Sequence, residues 1–283
     1  MKHFIFYSFF LALSMLVIQC TSSNTAEKIN AKVNSTDSTV AAIDEEVKPK
    51  PITYSWKTKK QKKEACFDPY KDDDDFTDFC SSREIEIGQI TLEDKTIEKR
   101  INDAIVRAAI GNDKKAVKIS DWLKEVESLE EKGEAFTESI TCQLLERGPK
   151  HVVVSISTDS YFYGAAHPSM LLDILNFNLE TGNMIGLSDL LKPGYGKALK
   201  NLVEKQFIKQ NGAADWNFTP RNGDFELANE FSISSKGIVF SYNQYEIGPY
   251  AAGMPEVIVP YNLISELFAK DSYLFEFLDK ASK

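Results

Sequence analysis

The sequence predicts an α+β fold: mainly antiparallel sheet, with helices segregated from it. Two observations lead there. Strand-like segments with period-two alternation follow one another across short turns that each contain Gly. Three stretches with apolar residues at helical spacing interrupt them, without the regular strand–helix alternation of a parallel sheet.

The elements follow in order. Ile85 and Ile87 alternate with polar residues, as on a half-buried strand. Ile97, Ile101, Ala104, Ile105 and Ala108 recur at helical spacing, with Gly111 as the stop. A second amphipathic helix carries Trp122, Leu123, Val126 and Leu129 and stops near Gly133. Ser139–Leu145 and His151–Ser157 form strands joined through Arg147-Gly148-Pro149-Lys150, with Val152, Val154 and Ile156 pointing one way between polar neighbours. Met170–Leu179 and Asn183–Leu187 read as a hairpin turning at Glu180-Thr181-Gly182. A helix from about Tyr195 carries Ala198, Leu199, Leu202, Val203 and Phe207, and Gly212 lies past its end. Phe231–Ser234 and Ile238–Tyr242 make a further hairpin across Ser235-Lys236-Gly237. Pro255–Tyr261 is a last strand, after which Asn262 is placed to cap a helix running to Phe268.

The 283 residues are 43% hydrophobic and include 18 Phe and 11 Tyr, enough apolar mass for a sizeable core. A net charge of −9 disfavours nucleic acid as a partner. Three histidines, one of them His3 near the start, leave too few for multi-histidine metal chemistry, and no metal or other cofactor is expected. No Gly-x-Ser-x-Gly, His-Glu-x-x-His, Cys-x-x-Cys, Walker A or dinucleotide glycine pattern occurs. Common hydrolases, zinc enzymes and nucleotide users are thereby disfavoured.

The start of the chain argues for export. Met1-Lys2-His3 precedes an apolar run from Phe4 to Ile18, shorter than the ~20 residues that span a bilayer but of the length of a secretory signal core. The run leads through Gln19 to Cys20, and this resembles a bacterial lipobox, although the small residue usual before the cysteine is absent. Residues 1–19 are read as a lipoprotein signal peptide, and Cys20 as the lipidated, palmitate-bearing anchor. Residues 21–53 lack aromatics and end in Lys48-Pro49-Lys50-Pro51, so 20–53 is read as a flexible tether. A coil of that length spans roughly 30 Å. The expected location is the bacterial cell envelope, outside the cytoplasm, with the membrane as a partner through lipid. Thr21 lacks the aspartate that retains some lipoproteins at an inner membrane, which favours an outer one where it exists.

With Cys20 lipidated, three cysteines remain in an oxidising compartment. Cys66 and Cys80 flank a polar, aspartate-rich loop and are paired as a disulfide, while Cys142 alternates with Ile140 and Leu144 as a buried thiol. Counted from Asp68, the loop has Asp73 and Phe79 where a calcium-binding EF-hand needs Gly and Glu, so it is read as a solvated acidic loop. The basic run Lys57, Lys59, Lys60, Lys62, Lys63 is read as a solvated lead-in to a strand, with anionic lipid or wall polymer as the other possibility.

Two segments stand out. Tyr161-Phe162-Tyr163-Gly164-Ala165-Ala166-His167-Pro168 lies between two strands, and Tyr242–Gly253 follows another. Tyrosine offers apolar area with a polar tip, which suits recognition. The candidate ligand-binding residues are Tyr161, Tyr163, His167, Tyr245, Glu246 and Tyr250, converging on one groove; no catalytic residue is assigned. A catalytic version makes His167 a general base oriented by Glu246 or Asp159. A purely structural version has the loops lock onto each other, with His167 donating to a backbone carbonyl.

The same segments carry a resemblance. Tyr163-Gly164-Ala165-Ala166-His167-Pro168, the turn Leu179-Glu180-Thr181-Gly182 leading to Leu187-Ser188-Asp189-Leu190-Leu191, and Tyr245–Gly253 resemble hallmarks of a superfamily. It is the domain-of-unknown-function superfamily shared by the anti-sigma factor RsiV and the peptidoglycan deacetylase PdaC. The likeness covers about residues 155–270, and Arg83–Gly148 resembles the half that usually precedes it. Stand-alone lipoproteins of this architecture are common in Bacteroidetes-like bacteria. The resemblance implies two interlocked α+β halves, here 54–150 and 151–283, coupled to cell-wall biology. These 283 residues contain neither a deacetylase domain nor a sigma-binding segment. The expectation is therefore a non-enzymatic envelope module that binds peptidoglycan or a wall-active protein such as lysozyme. The alternatives are an enzyme of unrecognised type acting on wall polysaccharide or peptide through His167, and a structural lipoprotein.

Overall fold

The computed structural model describes residues 52–67, 79–111, 118–130, 135–212 and 225–275. The leader 1–19, Cys20, the tether up to residue 51, the acidic loop 68–78 and the expected stop at Gly133 lie outside the described residues. Within them the fold is α+β. A five-stranded sheet contains β1 (Ser55–Phe67), β2 (Phe79–Thr91), β3 (Phe136–Arg147), β4 (His151–Phe162) and β5 (Ser169–Asn178), in that spatial order. A three-stranded sheet contains β6 (Glu230–Ser234), β7 (Gly237–Ser241) and β8 (Glu256–Val259). All neighbours run antiparallel except β2 and β3, which pair in parallel from Ser82–Thr137 to Glu86–Thr141. Strands from both sides of residue 150 thus share one sheet.

The basic run belongs to β1 itself and is not a lead-in to it. β1 pairs along its whole length with β2, from Ser55–Thr91 through Cys66–Cys80 to Phe67–Phe79. It is an edge strand, and lysines on such a strand discourage pairing with a further chain. Cys66 and Cys80 form the expected disulfide near the far end of this ladder.

Helix α1 (Lys95–Ile110) follows β2. Asp94 caps it, accepting from the backbone N–H groups of Thr96 (2.8 Å) and Ile97 (3.2 Å), and Gly111 ends it as expected. Helix α2 (Ile119–Glu130) lies beside it. Both pack on one face of the large sheet, burying Ile101, Ile105, Trp122 and Leu123 against Ile85, Ile87, Ile140, Cys142, Val152, Val154 and Phe177. Arg83 fastens α2 from below. Its guanidinium donates to the Trp122 carbonyl (2.7 Å), pairs with Glu125 (2.7 Å) and Glu138 (2.9 Å), and lies 4.7 Å from the Trp122 ring.

β4 departs from simple alternation. Residues 151–156 are all buried, because the C-terminal region covers the opposite face. Val153 and Ile174 join a second core with Leu190, Leu199, Val203, Phe207, Ile233, Phe240, Tyr242 and Val257. That core is closed by the short helix α3 (Leu187–Leu190), by α4 (Gly196–Asn211) and by the single turn α5 (Tyr261–Ile264). The segment expected to pair as Asn183–Leu187 makes only the isolated bridge Phe177–Met184, since the chain turns into α3 at Leu187. Gly182, at φ +71°, makes this turn, and a Cβ there would crowd Ile97 and Arg100 of α1. Asn262 does not cap the last helix. It lies inside α5, whose N-cap is Pro260.

Candidate functional site: an aromatic cluster between two loops

The connection between β4 and β5 and the loop after β7 meet at the surface. The first is a turn in which Ala165 N–H donates to the Phe162 carbonyl (2.9 Å), Tyr163 N–H donates to the Ala135 carbonyl (2.9 Å), and Gly164 takes φ +87°. The Tyr161 hydroxyl donates to the Ala165 carbonyl at 3.3 Å, which fixes its ring beside the turn.

The second loop is held by side chains that act as a missing strand. The Asn243 carboxamide accepts from Leu172 N–H (2.7 Å) and donates to the Leu172 carbonyl (2.9 Å). Gln244 accepts from Met170 N–H at 3.0 Å. Glu230, at the start of β6, accepts from Ile174 N–H at 2.6 Å. The outward amides of β5 at residues 170, 172 and 174 are thereby all satisfied without a neighbouring strand. Asn176 works in the other direction: its buried carboxamide donates to the Phe231 carbonyl (2.7 Å) and accepts from Ile233 N–H (2.9 Å), joining β5 to β6. The same device recurs where Asn102 of α1 brackets Ile90 of β2 and Gln210 of α4 brackets Ile258 of β8.

On this frame His167, Tyr245 and Tyr250 come together. The His167 ring stacks on Tyr250 with centroids 3.8 Å apart and planes 22° apart. Its Nε2 lies 2.8 Å from the Tyr245 hydroxyl and its Nδ1 2.9 Å from the Pro168 carbonyl. One neutral tautomer satisfies both contacts: Nδ1–H donates to the Pro168 carbonyl, and Nε2 accepts from the Tyr245 hydroxyl. Tyr245 sits at φ +65°, the one non-glycine residue with positive φ among those described. Such backbone costs of order 1–3 kcal/mol and clusters at functional sites. Tyr245 is 57% exposed and Tyr163 68%, and Tyr161, Phe162, Met170 and Leu171 are also exposed around them.

Of the six candidates, His167, Tyr245 and Tyr250 are in mutual contact. Tyr161 and Tyr163 flank the same turn. Glu246 is turned elsewhere, accepting from Asn243 N–H (2.8 Å) and from Asn229 N–H (2.9 Å), so it braces the loop from within. Neither Glu246 nor Asp159 hydrogen-bonds His167, and the carboxylate-oriented base imagined for the catalytic version does not form. Beneath the loop, burial pushes the Glu230 carboxyl up, the Asp173 and Glu246 carboxylates add to it, and burial likewise raises Asp173. Asn243, Gln244 and Asn176 carry no signal in the sequence. A polar amide beside a strand, with a partner more than fifty residues away, has no local signature.

Residues 188–262 match the family described as protein of unknown function, DUF3298. The matched span runs from α3 into α5 and includes Tyr245, Glu246 and Tyr250, while the His167 turn lies before it. The chain is similar to a crystal structure of a DUF3298 family member from Bacteroides fragilis, with a TM-score of 0.68, 19% identity, and 82% of this chain and 100% of that one covered. It is also similar to a DUF3298 family protein from Pseudomonas aeruginosa, with a TM-score of 0.57, 14% identity, and 78% and 95% covered. At these identities the likeness is one of fold. No curated protein matches the chain.

Proposed function

We propose that this chain is a lipid-anchored, extracytoplasmic envelope protein that binds a cell-wall-related ligand: peptidoglycan, or a protein acting on it such as lysozyme. The observation that carries the binding role is the surface cluster of His167, Tyr245 and Tyr250, in which Tyr245 is exposed and the other two are half-buried. Its rings are pre-oriented by a loop pinned to β5 at Met170 and Leu172, so little ordering cost remains when a ligand arrives. The apolar run Phe4–Ile18 before Cys20 and the polar stretch that follows support the anchor, and the resemblance to RsiV and PdaC supports the wall. Among the described residues the hydrogen-bond partners of His167 are the Pro168 carbonyl and the Tyr245 hydroxyl, with no orienting carboxylate, which favours binding over catalysis.

A second reading, the structural lock, is favoured by the His167 Nδ1 contact to Pro168 and by the side-chain pinning of the loop. Calorimetric titration with solubilised peptidoglycan fragments, and separately with lysozyme, decides between them. The binding reading expects saturable heat that weakens in His167→Ala and Tyr250→Ala. Absence of heat with both ligands, from a cooperatively folded protein, overturns it.

A further inference from the structure

We infer that the open polar face of the large sheet, beside the aromatic cluster, is a groove for an uncharged glycan chain. The inference rests on the wall-ligand reading above and names the chemistry it would recognise.

Where the C-terminal sheet stops covering β4, no other described element packs over the outer face of β2, β3 and β4, whose side chains there are half-buried to exposed. The strand register places Ser82, Thr137 and Tyr161 in one row across the three strands, and Glu84, Ser139 and Asp159 in the next. These side chains, with Lys62 at one end and Pro168 at the other, line a groove of about 280 Å³. From β1 to β4 it runs across three strand spacings, about 14 Å. Pro168 at this end adjoins His167 in the chain and accepts its Nδ1 contact at 2.9 Å, so the groove ends beside the residue that carries the ring cluster.

The lining is chemically selective. Lys62 is neutralised by Glu64 (2.7 Å), Glu84 by Lys60 (2.6 Å) and Glu138 by Arg83 (2.9 Å). Asp159 makes no ion pair among the described residues, and the hydroxyls of Ser82, Thr137 and Ser139 are not engaged by protein groups there. Free hydroxyls and one carboxylate acceptor suit a polyhydroxyl ligand. Asp159 disfavours a polyanion and the carboxylates of a wall peptide, while the compensated remainder offers little to a strongly basic partner. The backbone groups at this depth are already spent in the ladder, so an extended peptide finds no strand edge to join. Tyr161, its hydroxyl tied to Ala165, supplies a fixed apolar face for a sugar ring at the groove's end.

The test titrates the protein with a β-1,4-linked N-acetylglucosamine tetramer, which carries neither peptide nor carboxylate, and with an oligogalacturonate of equal length. Saturable binding of the tetramer alone is expected, weakened at least tenfold in Asp159→Asn and abolished when Ser139→Phe fills the groove. Melting temperatures confirm folding, and Asp159→Asn alone carries the test should Ser139→Phe misfold. Binding of whole peptidoglycan fragments without binding of the tetramer overturns the groove and leaves the wall-ligand reading standing. Tetramer binding that survives Asp159→Asn and Ser139→Phe, or equal binding of the acidic oligomer, also overturns it. Loss of all binding overturns both.

Discussion

His167 lies face to face with Tyr250, 3.8 Å between ring centroids, although the two residues come from loops more than eighty positions apart. Both are partly open to solvent. Such a pair contributes about 0.5–1.5 kcal/mol to stability. His167→Ala is therefore expected to lower the unfolding free energy by about 1 kcal/mol in urea titration, while weakening affinity for wall fragments more than tenfold. A larger loss of stability with unchanged binding would favour the structural lock.

Asn176 is a test of the joint between the two sheets. Asn176→Leu leaves the Phe231 carbonyl and the Ile233 amide without their partner in a buried setting. Each orphaned group costs about 1–3 kcal/mol. A destabilisation of about 2–4 kcal/mol is expected by chemical denaturation, with hydrogen exchange at Ile233 accelerated first.

Acid should weaken the fold through His151. Burial at the start of β4 lowers its pKa from 6.5 to about 4. The folded state therefore holds His151 neutral where the unfolded chain would take up a proton. This contribution is complete above pH 6.5 and is lost progressively as pH falls towards 4, amounting to about 3 kcal/mol at about 1.4 kcal/mol per unit. Stability measured across that window should fall, and His151→Gln should flatten the curve.

Reduction of Cys66–Cys80, or the double change Cys66→Ser and Cys80→Ser, removes a closure of about 15 residues. The chain-entropy model puts the loss at up to ~3 kcal/mol. Thermal unfolding with and without reductant checks it.

Local order is legible in the sequence. Ile97, Ile101 and Ile105 sit on one helix face because burial there repeats every turn, and Ile85 and Ile87 mark β2 because burial repeats every second residue. Val153 is obscure for the complementary reason. Apart from Ile174, it faces a core assembled from residues that follow it by thirty or more positions, and local alternation does not report a second covered face. Parallel pairing of β2 with β3, across two helices, is equally remote from any turn signal. Within the site, the aromatic loops are conspicuous in the sequence, but Glu246 misleads, because a carboxylate that caps its own loop looks like one that faces a ligand. The hydroxyl rows on β2, β3 and β4 are invisible there, since Ser and Thr on the outer face of any strand read as solvated.

The Cys66–Cys80 rung also has a mechanical meaning. A pull on the chain ahead of Ser55 meets β1 at its open end, where the rungs with β2 break in succession from Ser55–Thr91 onward, as a zipper does. Peeling halts at the disulfide, so the chain can lengthen only by the 55–66 stretch, about 40 Å fully extended. Beyond that the load passes through sulfur into β2, which β3 still holds from Ser82–Thr137 to Glu86–Thr141. Tension on the chain ahead of Ser55 would strip one edge and leave the two cores, and the aromatic cluster they support, in place.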